Sequence, residues 1–255
     1  MLLAAAPARA DEFPDRFGLR LGGYAIQNAS TIVRLDSINA PIGTYVDFQN
    51  TLGGDTSSTV FRLDGFFRFN ENHALLFSGY DVKFTGSRVL DRDIIWDGQT
   101  YPISASVDSK LEFNIYKLSY QYSAYHNDAV ELGASFGLFV MRSSVSISAG
   151  RLGLADSQSV TAPLPVFGLF ADYKFTPRLS AYYNYQFFFI NYEDKIRGGL
   201  QDFLFGLEYR LLRHVSLGAA YNRFNVNMKA NRDDSSTLYL NTSWNGGMLY
   251  AAVYF

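Results

Sequence analysis

The chain lacks cysteine altogether, has only 7 prolines in 255 residues, and carries a formal net charge of −2. Without thiols it forms no disulfide, so it can pass an oxidising compartment without misoxidation. A balance this close to neutral, with no basic cluster, argues against nucleic acid as a partner. No apolar run approaches the ~18 residues that a membrane-crossing helix requires. The longest, such as Phe-Phe-Phe-Ile at 187–190, are far too short. A helical membrane protein is excluded, and helical periodicity is hard to find anywhere.

Aromatics are abundant instead: 18 Tyr, 22 Phe and 2 Trp. They fall in stretches that alternate with period two, the signature of strands with one apolar face. In 60–69, Phe61, Leu63, Gly65, Phe67 and Phe69 share a face opposite Arg62, Asp64, Phe66 and Arg68. In 201–211, Phe203, Phe205, Leu207, Tyr209 and Leu211 stand against Asp202, Glu208 and Arg210. Residues 179–188, 16–25 and 130–140 follow the same scheme.

Tight separators at 70–72, 124–128, 176–178 and 212–214 alternate with longer polar ones near 38–57, 88–105, 147–160, 193–200 and 231–245. Ten strands result, near 16–37, 58–70, 74–87, 106–123, 130–146, 162–175, 179–192, 201–211, 215–230 and 246–255. Two of them break phase. Leu111, Phe113 and Ile115 share one parity while Tyr116, Leu118, Tyr120 and Tyr122 share the other. A bulge at Asn114–Tyr116, and a similar slip at Asn222–Arg223, would reset the register.

This pattern predicts an all-β fold: a transmembrane, antiparallel up-and-down barrel of about ten strands, with short periplasmic turns and longer extracellular loops. Closure pairs every backbone group, which lipid cannot do. Residues 1–10, ending in Ala8-Arg9-Ala10, read as a signal-peptide remnant, leaving 11–255 as one barrel domain. An even strand number puts both termini in the periplasm. At the end of the chain Leu249, Ala251, Val253 and Phe255 alternate outward. That ending resembles the terminal strand read by the outer-membrane assembly machinery of Gram-negative bacteria. The whole chain resembles small outer-membrane barrels of the OmpA and OmpW type, and 161–169 and 206–224 resemble a widespread proteobacterial branch of them. The resemblance implies a location and an architecture. The superfamily includes pores, adhesins, enzymes and anchors, so it implies no single activity, and OmpW-like barrels have eight strands rather than ten.

If polar faces line the lumen, the interior holds Arg20, Arg34, Arg62, Arg68, Lys83, Lys110, Lys117, Lys174 and Arg210 against Asp36, Asp64, Asp81, Glu112, Glu131, Asp172, Asp202 and Glu208. Near balance favours mutual pairing over a single-sign selectivity ring, and a barrel this narrow is filled by side chains. The expected role is structural, surface-contact or narrow-channel, with a passive pore or an accessory subunit of an envelope complex as alternatives. Ten strands is also the number in the omptin proteases, whose site lies at the extracellular end. Here His73, His126 and His214 all fall in or beside tight turns, without a Ser or Asp dyad in the local sequence, so no catalysis is expected. Asp91, Asp93 and Asp97 are close enough in sequence to suggest Ca²⁺, yet their spacing is not that of a calcium loop. No metal and no cofactor is expected. The expected partners are outer-membrane lipid, lipopolysaccharide, the assembly machinery and an envelope protein.

Overall fold

The computed structural model describes residues 15–37, 42–192, 196–233 and 236–255. Ten long strands form one antiparallel sheet that closes on itself: β1 (Phe17–Ser37), β2 (Ser58–Arg68), β3 (His73–Val89), β4 (Ser106–His126), β5 (Val130–Ala149), β6 (Leu154–Lys174), β7 (Leu179–Tyr192), β8 (Ile196–Leu212), β9 (Val215–Asp233) and β10 (Ser236–Tyr254). Each pairs with its sequence neighbours, and β10 returns to β1 in register from Gly18↔Tyr254 to Ser37↔Ser236. The expected signal remnant at 1–10 lies outside the described residues. Among the described residues no helix is long and apolar enough to cross a membrane.

Four tight turns gather at one end of the barrel, as the separators predict. At the other end the expected long loops are largely strand. Residues 154–161, 196–200 and 236–245 extend β6, β8 and β10, because each is paired along its length with a neighbouring strand, β5, β9 and β1 respectively, which overrides a composition that by itself suits a loop. The β5–β6 connection shrinks to a single 3-10 turn, Gly150–Leu152, closed by Gly153 at φ +65. Among the described residues, two connections keep a larger substructure of their own. One holds the helix α1 (Phe48–Leu52), capped by Asp47 accepting from the Asn50 N–H and closed by Gly53 at φ +66. The other holds a small hairpin, Ile94–Trp96 with Gln99–Tyr101.

Neither expected slip exists. The β4–β5 ladder is continuous from Asp108↔Ser148 to Ser123↔Gly133, and the β8–β9 ladder is continuous through Leu204↔Asn222 and Phe203↔Arg223. Parity does not change; the meaning of the two faces does. On β4 the odd residues 107 to 123 all point inward, first Val107, Leu111, Phe113 and Ile115, then Lys117, Ser119, Gln121 and Ser123. Its even face carries Asp108, Lys110, Glu112 and Asn114, then Tyr116, Leu118, Tyr120 and Tyr122. The half of the barrel near the tight turns is therefore apolar outside and polar inside, and the other half is the reverse. A true register shift does occur in β1, between Gln27 and Ser30, where Asn28 sits at φ +51. It turns inward-facing residues from even (Tyr24, Ile26) to odd (Thr31, Val33, Leu35).

Candidate functional site

The inverted lining divides the lumen into two chambers. In the half away from the tight turns, apolar side chains fill the barrel as they would a soluble core. Phe224 stacks on Trp244 at 4.3 Å between ring centres, Phe113 lies 5.4 Å from Trp244, and Phe139 stacks on Phe224 at 5.7 Å. The connections complete this filling from the top. Phe48 and Leu52 of α1, Val46 before it, and Ile94, Trp96 and Tyr101 of the hairpin are all buried. The Trp96 indole N–H donates to Asp156 on β6 at 2.7 Å, fixing the hairpin inside the rim. Burial pushes the Tyr101 phenol up from its ordinary value, with the neighbouring Asp156 charge adding to the effect.

Below the aromatic layer the interior is charged. Arg62 and Asp64, two residues apart on β2, form a forked pair at 3.0–3.1 Å. Lys117 on β4 pairs with Asp202 on β8. Asn222 donates to Asp202 at 2.7 Å and accepts from the Tyr24 hydroxyl at 2.8 Å. Arg20 donates to Glu208 at 3.1 Å, and the Tyr250 and Tyr254 hydroxyls donate to the same carboxylate at 3.1 and 2.5 Å. Arg68 holds Glu131 with two bonds, 2.9 and 3.1 Å, and Arg210 reaches Asp15 at the tight-turn rim. A cavity of about 150 Å³ lies among Arg20, Arg62, Arg68, Lys117, Asp172 and Asp202. Pairing of this kind lets ions sit in a confined space because each keeps a partner.

Of the charges expected in the lumen, Arg20, Arg62, Asp64, Arg68, Lys117, Glu131, Asp172, Lys174, Asp202, Glu208 and Arg210 lie on inward positions, with Lys174 exposed at the rim. The other six, Arg34, Asp36, Asp81, Lys83, Lys110 and Glu112, need correcting. Asp81 and Lys83 alternate with buried Tyr80, Val82 and Phe84, so they point out. Lys110 and Glu112 pair with each other on the outer face at 2.6 Å. Arg34 and Asp36 follow the β1 register shift, pair at 2.7 Å, and lie outside, with Arg34 over the Tyr45 and Tyr239 rings. The physical reason is common to all six. Beyond the apolar belt the medium outside is water, so charge faces outward and the greasy side folds in.

The lumen is thus closed by two different fillings, paired charges and an apolar core, and not by charges alone. The sequence reading missed the apolar filling and the inward phenols of Tyr24, Tyr80, Tyr182, Tyr250 and Tyr254. Their signal was present in Leu111, Phe113 and Ile115, read as a slip rather than as a change of environment. The three histidines sit at the tight-turn end: His73 against Tyr120, His126 3.7 Å from Glu71, and His214 bonded to the Tyr254 carbonyl. Asp91, Asp93 and Asp97 go to separate partners: Arg88, the Ile103 N–H and Gln158.

No family model matches this sequence, and no curated protein sequence is similar to it. Among solved structures, the outer membrane protease OmpT of Escherichia coli superposes with a TM-score of 0.53 at 9% identity, covering 93% of this chain and 97% of that one. OprG of Pseudomonas aeruginosa gives 0.42 at 12% identity over 94% and 95% of the two chains, and Ail of Yersinia pestis 0.37 at 12% over 95% and 100%. The last two likenesses are too loose to argue from. The likeness to the protease is one of fold: this chain is a closed, antiparallel ten-stranded barrel.

Proposed function

We propose that this chain is an integral outer-membrane protein with its tight turns in the periplasm, acting as a closed barrel that presents a rigid β-wall at the cell surface. The outer apolar belt carries the reading. On four strands it spans seven to nine residues: Tyr116 to Tyr122 on β4, Phe203 to Leu211 on β8, Val215 to Tyr221 on β9, Leu249 to Phe255 at the end of β10. A tilted strand crosses a bilayer in roughly 9–11 residues, so these stretches with two flanking residues suffice. Phe61 is 80% exposed, Leu249 73% and Phe255 66%; a belt of such side chains encircling a protein in water would drive aggregation, but in hydrocarbon it is at rest. Polar residues begin at the next outward position with Asn114, Gln201 and Arg223, and on β10 at Asn245, one outward position past Gly247.

Leu249, Ala251, Val253 and Phe255 face outward in the belt, which suits a role as the assembly signal. Arg223 and Arg142, first beyond the belt on β9 and β5, are placed to meet phosphates of lipid and lipopolysaccharide headgroups. The aromatic layer and the loops seated above it support a non-conducting role over a passive pore. The histidines stand at the periplasmic end among tyrosines and turns, which supports a non-enzymatic role. Planar-bilayer recording tests the central claim: the protein reconstituted from detergent should show no conductance above background. Steady single-channel steps would replace this reading with the passive pore.

A further inference from the structure

The barrel wall between β6 and β7 is zipped only in its lower part. Pairing runs from Ser180↔Lys174 to Phe187↔Phe167 and stops, although β6 continues to Leu154 and stays paired with β5 to Ala149↔Leu154. The stop is written in the sequence. The Lys174 N–H donates beside β5, to Ala129, while the Phe175 N–H donates beside β7, to Leu179. Successive residues of a strand bond to opposite neighbours. Even residues of β6 therefore face β5 and odd residues face β7. Pro163 and Pro165 are odd, so both missing donors lie on the β7 side, at the two steps where the ladder would pass Phe167.

Beyond the prolines, the backbone groups of Ala155, Ser157, Ser159 and Thr161 face no paired strand among the described residues. Their side chains are small, exposed and uncharged. Natural edges are usually protected by lysine, proline, a bulge, an inward charge or a covering segment; 155–161 has no lysine or proline, and its one charge, Asp156, points inward and is already held by the Trp96 indole. Behind this edge the inward side chains of β6 are Leu154, Asp156, Gln158, Val160 and Ala162, with Leu154 and Ala162 partly buried against the apolar filling.

We propose that the β6 edge at Ala155–Thr161 is a strand-addition site, taking an extended segment of a different protein as an additional strand. Its inward neighbours on β6, Leu154, Asp156, Gln158, Val160 and Ala162, select a segment whose inward side chains are uncharged and of moderate size, such as valine or threonine, at every second position. A second copy in the same membrane fits less well. It would bring its own β6 up in the same direction, and parallel pairs bond less favourably per residue. The location of the site outside the cell rests on the surface-barrel reading; the open edge itself does not.

The test uses the full-length protein in detergent micelles and an octapeptide alternating valine and threonine, since main-chain bonding makes strand addition tolerant of sequence. Hydrogen–deuterium exchange should slow at Ala155, Ser157, Ser159 and Thr161 by about tenfold or more when the peptide is added. The same peptide N-methylated at alternate residues should give no slowing. A Ser157→Pro/Ser159→Pro variant, which leaves every β5-facing donor intact, should lose the effect. Three outcomes overturn the proposal: no slowing with peptide, these amides already protected without it, or protection that grows with protein concentration alone, which would make a second copy the occupant. Labelling of a Ser159→Cys variant on intact cells separates the two readings. An unlabelled thiol in an otherwise open edge refutes the surface placement and not the edge.

Discussion

Phe224 and Trp244 are direct cross-strand partners on β9 and β10, and their rings stack inside the barrel with centres 4.3 Å apart. Both are almost fully buried, and they mark the level at which the lumen changes from charged to apolar. Replacing Trp244 with Ala removes the largest buried side chain of this layer. Such truncations typically cost about 3–5 kcal/mol. Urea titration in lipid vesicles should show a loss in this range for Trp244→Ala, with an exposed control beyond the belt such as Asn227→Ala losing far less.

The charged chamber gives a second expectation. Arg62 is 2% exposed and its forked pair with Asp64 is its main compensation. Breaking a buried pair from one side typically costs about 3–5 kcal/mol, whereas replacing both partners with apolar groups costs much less. Arg62→Met should therefore be more damaging than Arg62→Met combined with Asp64→Leu. Equal losses in unfolding free energy would show that the pair is not a unit.

The belt can be mapped by charge. Leu207 lies at the centre of the outward apolar stretch of β8, while Asn227 on β9 lies beyond it. An arginine facing lipid costs about 2–4 kcal/mol at mid-bilayer and about 0–1 near the interface. Leu207→Arg should fall in the first range and Asn227→Arg in the second. A reversed order in vesicle-folding equilibria would contradict the placement of the membrane.

Pro163 and Pro165 explain why the β6 ladder to β7 ends. Phe189 and Asn191, which would oppose them, have backbone groups left without a strand partner on that side. A Pro163→Ala/Pro165→Ala variant restores both donors. Its expected signature is slower amide exchange at Phe189 and Asn191, with the β5–β6 ladder unchanged. Exchange as fast as in the unaltered protein would mean that something other than the prolines holds the strands apart.

Tyr101 offers a pH handle outside the belt. Its phenol is pushed up by burial and then by Asp156, and its hydroxyl has no hydrogen-bond partner among the described residues. A folded-state value above the unfolded one, ~10, means that the contribution of Tyr101 is complete below that pH and fades as pH rises past it. The unaltered protein should lose stability above about pH 10 more steeply than Tyr101→Phe. Below that pH the variant should cost little, because it removes an unpaired buried group. Parallel slopes in the two proteins would exclude Tyr101 as the source.

Strand number, turn positions and the lower lumen were legible because alternation there follows one rule: apolar outward, ionised inward. The upper half was misread for the same reason. Lys110 and Glu112 obey the opposite rule on the same unbroken strand as Lys117, and Leu111 and Phe113 are core residues although Leu118 and Tyr120 face outward. Period-two patterning tells which residues share a side. It does not tell which side faces water, and here the answer changes halfway along each strand. The three-residue rim turn at Gly150–Leu152 was hidden similarly, since a serine-rich stretch reads as loop until its partner strand is known.

This exchange of faces also bears on how the chain travels before it folds. On the proposed function, each segment that would sit in lipid places only every second side chain against it, and on β4 and β8 the complementary positions include Lys117, Ser119, Gln121, Asp202 and Glu208. Secretion machinery that retains sufficiently greasy helical stretches would find none to hold among the described residues. A protein bound for one bilayer would then cross another without stopping, because its affinity for hydrocarbon would exist only after the strands have paired.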